Sequence, residues 1–99
     1  MLKHSLKITS TAKKVLKQLK HNPGNIREFK AVKKAITFLG NNSKHPGLQT
    51  HIIYSLKGPS GEKVFEAYAQ QNTSSAYRIF FYYGPNKREI TIFSIIPHP

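Results

Sequence analysis

Apolar residues change their spacing once along this chain, near residue 50, and the change divides it into two kinds of structure. Before it they recur three and four apart; after it they alternate. At the very start, Leu6-Lys7-Ile8 alternates and predicts a short edge strand. Thr9, Ser10 and Thr11 then offer hydroxyls that accept from the free amides of a first helical turn. Ala12, Val15, Leu16 and Leu19 fall at i, i+3, i+4 and i+7, the apolar stripe of a first helix. Asn22-Pro23-Gly24 ends that helix, because proline cannot continue the hydrogen-bond ladder. A second helix is expected from about Ile26 to Leu39, with Phe29, Val32, Ile36 and Leu39 as its stripe and Gly40-Asn41-Asn42 as its stop. The short link makes the two an antiparallel hairpin.

From His51 the period is 2, and strands are expected near 51–57, 63–70, 76–83 and 89–96. Gly58-Pro59-Ser60-Gly61 and Gly84-Pro85-Asn86-Lys87 supply turns, and Gln71 to Ser75 a polar connection. The whole is one α+β domain over residues 1–99: a short strand and a helical hairpin packed on one face of a small antiparallel sheet. Alternation then sorts the faces. Ile52, Tyr54, Leu56, Phe65, Ala67, Ala69, Tyr77, Ile79, Phe81 and Tyr83 suit the helix-covered face. His51, Ile53, Ser55 and Lys57 fall on the other, and so do Val64, Glu66, Tyr68, Arg78, Phe80 and Tyr82. A single β-bulge would swap faces locally.

Composition changes the picture in one respect. The chain has 16 Lys and Arg against four Glu and no Asp, for a net charge of +12. The N-terminal half carries most of the excess. A domain this basic repels itself, and a polyanion or an acidic partner relieves that. A lysine-rich solubility surface accounts for the same charge. The absence of cysteine excludes disulfides and Cys-based zinc sites and suits a reducing cytoplasm. No apolar stretch approaches the ~20 residues that span a bilayer, so no membrane partner is expected. The first residues lack the apolar region of a secretory signal and read instead as the first strand and helix.

Three groups of residues carry possible chemistry. Arg78 sits mid-strand among aromatics, where a guanidinium needs solvent or a partner. It either pairs with Glu66 on the next strand or presents its planar fork to a phosphate, and Glu66 can hold it for that purpose. Tyr68, Phe80 and Tyr82 beside basic residues suit stacking on bases, although aromatics in strands also simply pack. His98, between Pro97 and Pro99, is either a solvated tail or the best acid–base group in the chain. Lys13, Lys17, Lys20, Lys30 and Lys34 on the helices are either solvated faces or a band that follows a nucleic-acid backbone. The other histidines show no metal-ligand spacing, and neither a metal nor a cofactor is expected.

The segments LKITSTAKKVLKQL, HPGL, SLKGPSGEKVFEAY, AYRIFF and ITIFSIIPHP, in this order and over nearly the whole chain, resemble the RelE/ParE superfamily, and more closely its RelE-like branch. Each is short; order and spacing carry the resemblance. It implies a helical hairpin on a small antiparallel sheet. It also implies the toxin of a bacterial toxin–antitoxin pair, neutralised by a small antitoxin that wraps it. RelE-like members cleave mRNA in the ribosomal A site without a metal; ParE-like members inhibit DNA gyrase. Carried over, Arg78 matches the arginine of the YR strand motif that contacts the scissile phosphate. Lys57 matches a basic position before the turn. His98 matches a C-terminal histidine or arginine position. Glu66 falls in a segment where Tyr68 stands in place of a common arginine, and the tyrosine found beyond His98 in some members has no counterpart.

The resemblance thus implies an endoribonuclease with ribosome and mRNA as partners, together with an antitoxin bearing acidic segments. The RNA 2′-OH attacks phosphorus, giving a 2′,3′-cyclic phosphate and a 5′-OH. His98 is the expected acid or base, Arg78 the clamp on the transition state and Lys57 a second cation. Glu66 is either the base or the residue that orients Arg78. Two other readings remain: gyrase inhibition, and a non-catalytic module that binds RNA or a partner on the same fold.

Overall fold

A computed structural model describes residues 3–71 and 76–97. The elements follow in the order β1 (Ser5–Ile8), α1 (Ser10–His21), α2 (Ile26–Asn41), β2 (His51–Lys57), β3 (Lys63–Tyr68), β4 (Tyr77–Tyr83) and β5 (Glu89–Pro97). Thr9 is the residue that caps α1, its hydroxyl accepting from the Ala12 amide at 3.4 Å. Asn22 ends α1, and its side chain accepts from the Gly24 amide at 3.0 Å in the short 3-10 turn Pro23–Asn25. The second helix runs to Asn41, past the end of its apolar stripe. Gly40 lies inside it rather than beyond its end, for a steric reason. A Cβ there would meet Leu6 Cδ1 at 3.3 Å, because β1 passes close by and His4 donates its amide to the Gly40 carbonyl at 2.8 Å.

The five strands form one sheet in the order β1-β5-β4-β3-β2. The four C-terminal strands are the expected antiparallel meander. β1 adds to it in parallel at the far edge, with Leu6 opposite Ile90 and Ile8 opposite Ile92. The helices lie on one face, α1 over β5 and α2 over β4. Ala12, Leu19, Val32, Ala35 and Leu39 meet Ala67, Ile79, Phe81, Ile90, Ile92 and Ile95 there, with Leu48 from the connection to β2.

Two β-bulges decide which side chains share a face. In β5, Phe80 opposes Ser94 while Phe81 opposes Ile92, so Phe93 is the extra residue. That one residue lets Ile92 and Ile95, three apart, both point into the core. In β2, the pairing runs from His51–Glu66 to Ile53–Val64, then resumes only at Lys57–Lys63. Tyr54, Ser55 and Leu56 fall in the gap. Tyr54 is 80% exposed and Leu56 41%, whereas strict alternation placed both in the core. The helices pack chiefly on β5 and β4, away from the β2 edge where Tyr54 and Leu56 stand.

Candidate functional site

The face of the sheet turned away from the helices carries a chain of polar side chains across β2, β3 and β4. Register builds it. His51 stands opposite Glu66, and Tyr68 opposite Arg78. Glu66 and Tyr68 are two apart on β3 and so share a face. Glu66 lies at the centre, 5% exposed. Its carboxylate accepts from Arg78 Nη1 at 3.3 Å through Oε1 and at 3.2 Å through Oε2. Oε1 also meets His51 Nε2 at 2.9 Å. One buried carboxylate therefore holds the Arg78 guanidinium and the His51 ring, side chains from the two neighbouring strands, and burial of that charge is offset by these partners. Arg78 in turn lies over the Tyr68 ring, 4.5 Å from its centroid, and the His51 ring meets that tyrosine edge-on at 5.6 Å.

Two details bear on chemistry. Arg78 Nε is buried and has no hydrogen-bond partner, so the guanidinium keeps capacity that Glu66 does not use. His51 Nδ1 lies 2.9 Å from the Gln49 carbonyl oxygen, so both ring nitrogens face acceptors. The whole cluster is graded in exposure: the side chain of Glu66 is 7% exposed, that of Arg78 21% and that of His51 44%.

Of the residues singled out in the sequence, the structure gathers Arg78, Glu66 and Tyr68. Phe80, half-buried, continues their face opposite Glu66. Tyr82 does not offer a stacking surface: it is 8% exposed and packs on Phe93 at 5.9 Å. Val64, on the same face, is fully buried, so this end of the sheet is closed where an open face was expected. Lys57 opposes Lys63, out of phase with Val64 and Glu66, which puts it on the other face from Arg78. The cause is the bulge in β2. Lys13, Lys17, Lys20 and Lys30 are exposed on the helices, behind the sheet rather than beside the cluster. Lys34 is nearer, sharing with Phe38, Leu48 and Tyr68 the wall of a groove of ≈ 340 Å³. His98 lies outside the described residues. His51 is the member of the cluster that sequence reasoning misses. The available signal is its place on the Glu66 face; metal-ligand spacing, which it lacks, is the wrong criterion for it. Among the described residues no group of three or more His, Cys, Asp or Glu comes together.

Neither a family model nor a curated protein matches this sequence. Among solved structures the fold is similar to that of a chain in the crystal structure of the archaeal RelE-RelB complex from Pyrococcus horikoshii OT3. The TM-score is 0.63 at 15% identity, over 97% of this chain and 96% of that one. The chain therefore has the RelE-like fold that its sequence resembles. No helix among the described residues is long and apolar enough to cross a membrane.

Proposed function

We propose that this protein is the toxin of a toxin–antitoxin pair and a metal-independent endoribonuclease that cleaves mRNA on the ribosome. The observation that carries the reading is Arg78. It is braced by a buried carboxylate and a tyrosine face, and its side chain keeps 21% exposure on the face of a RelE-like fold turned away from the helices. A guanidinium so held is suited to the oxyanion of a phosphoryl transition state. Its proposed role is to neutralise the charge that builds as the 2′ oxygen attacks. Glu66 suits the orienting role better than the base, because its side chain is 7% exposed and both its oxygens are engaged. His98 is proposed as the residue that takes or gives a proton. Lys57 and the helix lysines are proposed to hold flanking RNA or rRNA by charge alone. An antitoxin with acidic segments suits the same +12 surface.

The position of Lys57 is the one observation that favours a non-catalytic module, since the site then has one cation fewer than the sequence implied. A short pulse of expression in bacteria, with 5′ ends mapped on an abundant mRNA, separates the readings. Cleavage within translated codons, lost in Arg78→Ala and His98→Ala, supports the RNase. Growth arrest without new 5′ ends moves the reading to gyrase inhibition. Neither arrest nor new ends leaves a binding module.

A further inference from the structure

We propose that Tyr54 is a stacking platform for one unpaired base of single-stranded RNA, with Lys57 and Lys63 on the flanking phosphates. The inference rests on the reading of this protein as one that acts on RNA, and it adds a base contact to a role so far assigned to charge alone. Two local features of the edge strand β2 carry it. The first is the bulge. Val64 and Lys63 are consecutive on β3, but their partners Ile53 and Lys57 are four apart, so Tyr54, Ser55 and Leu56 have no residue opposite them. All three are exposed, and Tyr54, at 80%, presents most of its ring to solvent. The second is the pair that closes the bulge. Lys57 stands directly opposite Lys63, both are exposed, and like charges so placed repel. Glu62, the carboxylate nearest to them in sequence, turns its Oε1 to the Ser60 amide at 2.8 Å. Among the described residues the ion pairs are those of Glu66, so both lysines remain open to an external anion.

A ring open to solvent beside two cations suits a single strand, whose base stacks on the ring while its phosphates meet the ammonium groups. The same bulge disfavours a peptide strand at this place. Strand addition takes a regular row of amides and carbonyls, and a bulge interrupts that row and twists the edge away. The position of β2 fits as well. It is an edge strand, and Lys57 lies on the face opposite Arg78. An RNA strand that reaches both Arg78 and the lysines of the helices crosses an edge of the sheet, and Tyr54 stands on one of the two.

The test measures binding of full-length protein to a short labelled RNA with 2′-O-methyl groups throughout, alone and as a duplex with its complement. Such an RNA cannot be cut, because its 2′ oxygens carry no proton and do not attack, so the result is independent of catalysis. Tyr54→Ala is expected to weaken binding of the single strand by about 5- to 100-fold and to leave the salt dependence and the binding of the duplex, which offers no unstacked base, unchanged. Unchanged duplex binding also shows that the variant is folded. Tyr54→Phe, which keeps the ring, should bind the single strand as the wild type does. Lys57→Gln combined with Lys63→Gln should lower the logarithmic salt slope by about 0.7 for each phosphate no longer neutralised. Wild-type affinity of Tyr54→Ala for the single strand overturns the inference and leaves the exposed ring to a protein partner. An equal loss on single strand and duplex overturns it too, and so does a loss in Tyr54→Phe as large as that in Tyr54→Ala. If the wild type binds neither RNA, the reading of the protein as one that acts on RNA fails, and the inference with it.

Discussion

Glu66 is the residue on which the cluster depends. It is buried, and its close partners are the Arg78 guanidinium and the His51 ring, from the two neighbouring strands. Glu66→Ala leaves Arg78 and His51 side by side without their anion. The cost to stability is expected to be no more than about 3 kcal/mol, because the Arg78 and His51 side chains both keep access to water. Chemical denaturation of wild type and variant measures it, and a loss under about 0.5 kcal/mol would mean that the pair contributes little. At Arg78 the prediction concerns shape rather than charge. Arg78→Lys keeps the cation but loses the planar fork and the stacking on Tyr68. Cleavage should fall nearly as far as in Arg78→Ala. If lysine sustains the wild-type rate, a point charge is all that the site requires.

The elements show where sequence and structure part. Helix stripes are legible because a period of 3.6 extends over many residues, and Thr9, Asn22 and the core leucines stand where the pattern puts them. Strand faces are legible only as far as the first bulge. Phe65, Ala67, Ile79 and Phe81 lie where alternation places them, and Tyr54 and Leu56 do not. A bulge is a property of the pairing between two strands, so one strand's alternation carries no mark of it. The same limit hides the true face of Lys57 and conceals the partnership of His51 with Glu66. It also makes Gly40 look like a helix stop, when its small size serves the close approach of Leu6 on the first strand. A pair of substitutions tests the strand assignment. Phe81→Ala, in the fully buried core, is expected to cost about 3–5 kcal/mol. Tyr54→Ser, on the bulge, is expected to change stability by less than about 0.5 kcal/mol. Comparable losses at the two positions would mean that Tyr54 is packed after all.

Across the whole molecule, charge and chemistry occupy different sides. The Arg78 cluster lies on the face of the sheet turned away from the helices, and most of the lysines lie on helices behind it. If RNA binds by both, it must bend around an edge, and each lysine that neutralises a phosphate should release roughly one counterion. Lys13→Gln combined with Lys17→Gln is expected to make affinity fall less steeply with salt. The logarithmic slope should decrease by about 0.7–0.9 for each phosphate no longer neutralised, with the cutting step intact. An unchanged salt slope in that variant would show that α1 does not touch RNA. Strand order has its own consequence for how the molecule comes into being. β5 is the last strand in sequence, yet it lies between β1 and β4, beneath α1, and supplies Ile90, Ile92 and Ile95 to the core. Each element made earlier on that side waits for it. During synthesis the first strand and helix therefore emerge long before the surface they cover exists. The part of the core between α1 and the sheet is therefore expected to close only when Glu89–Pro97 is free to insert.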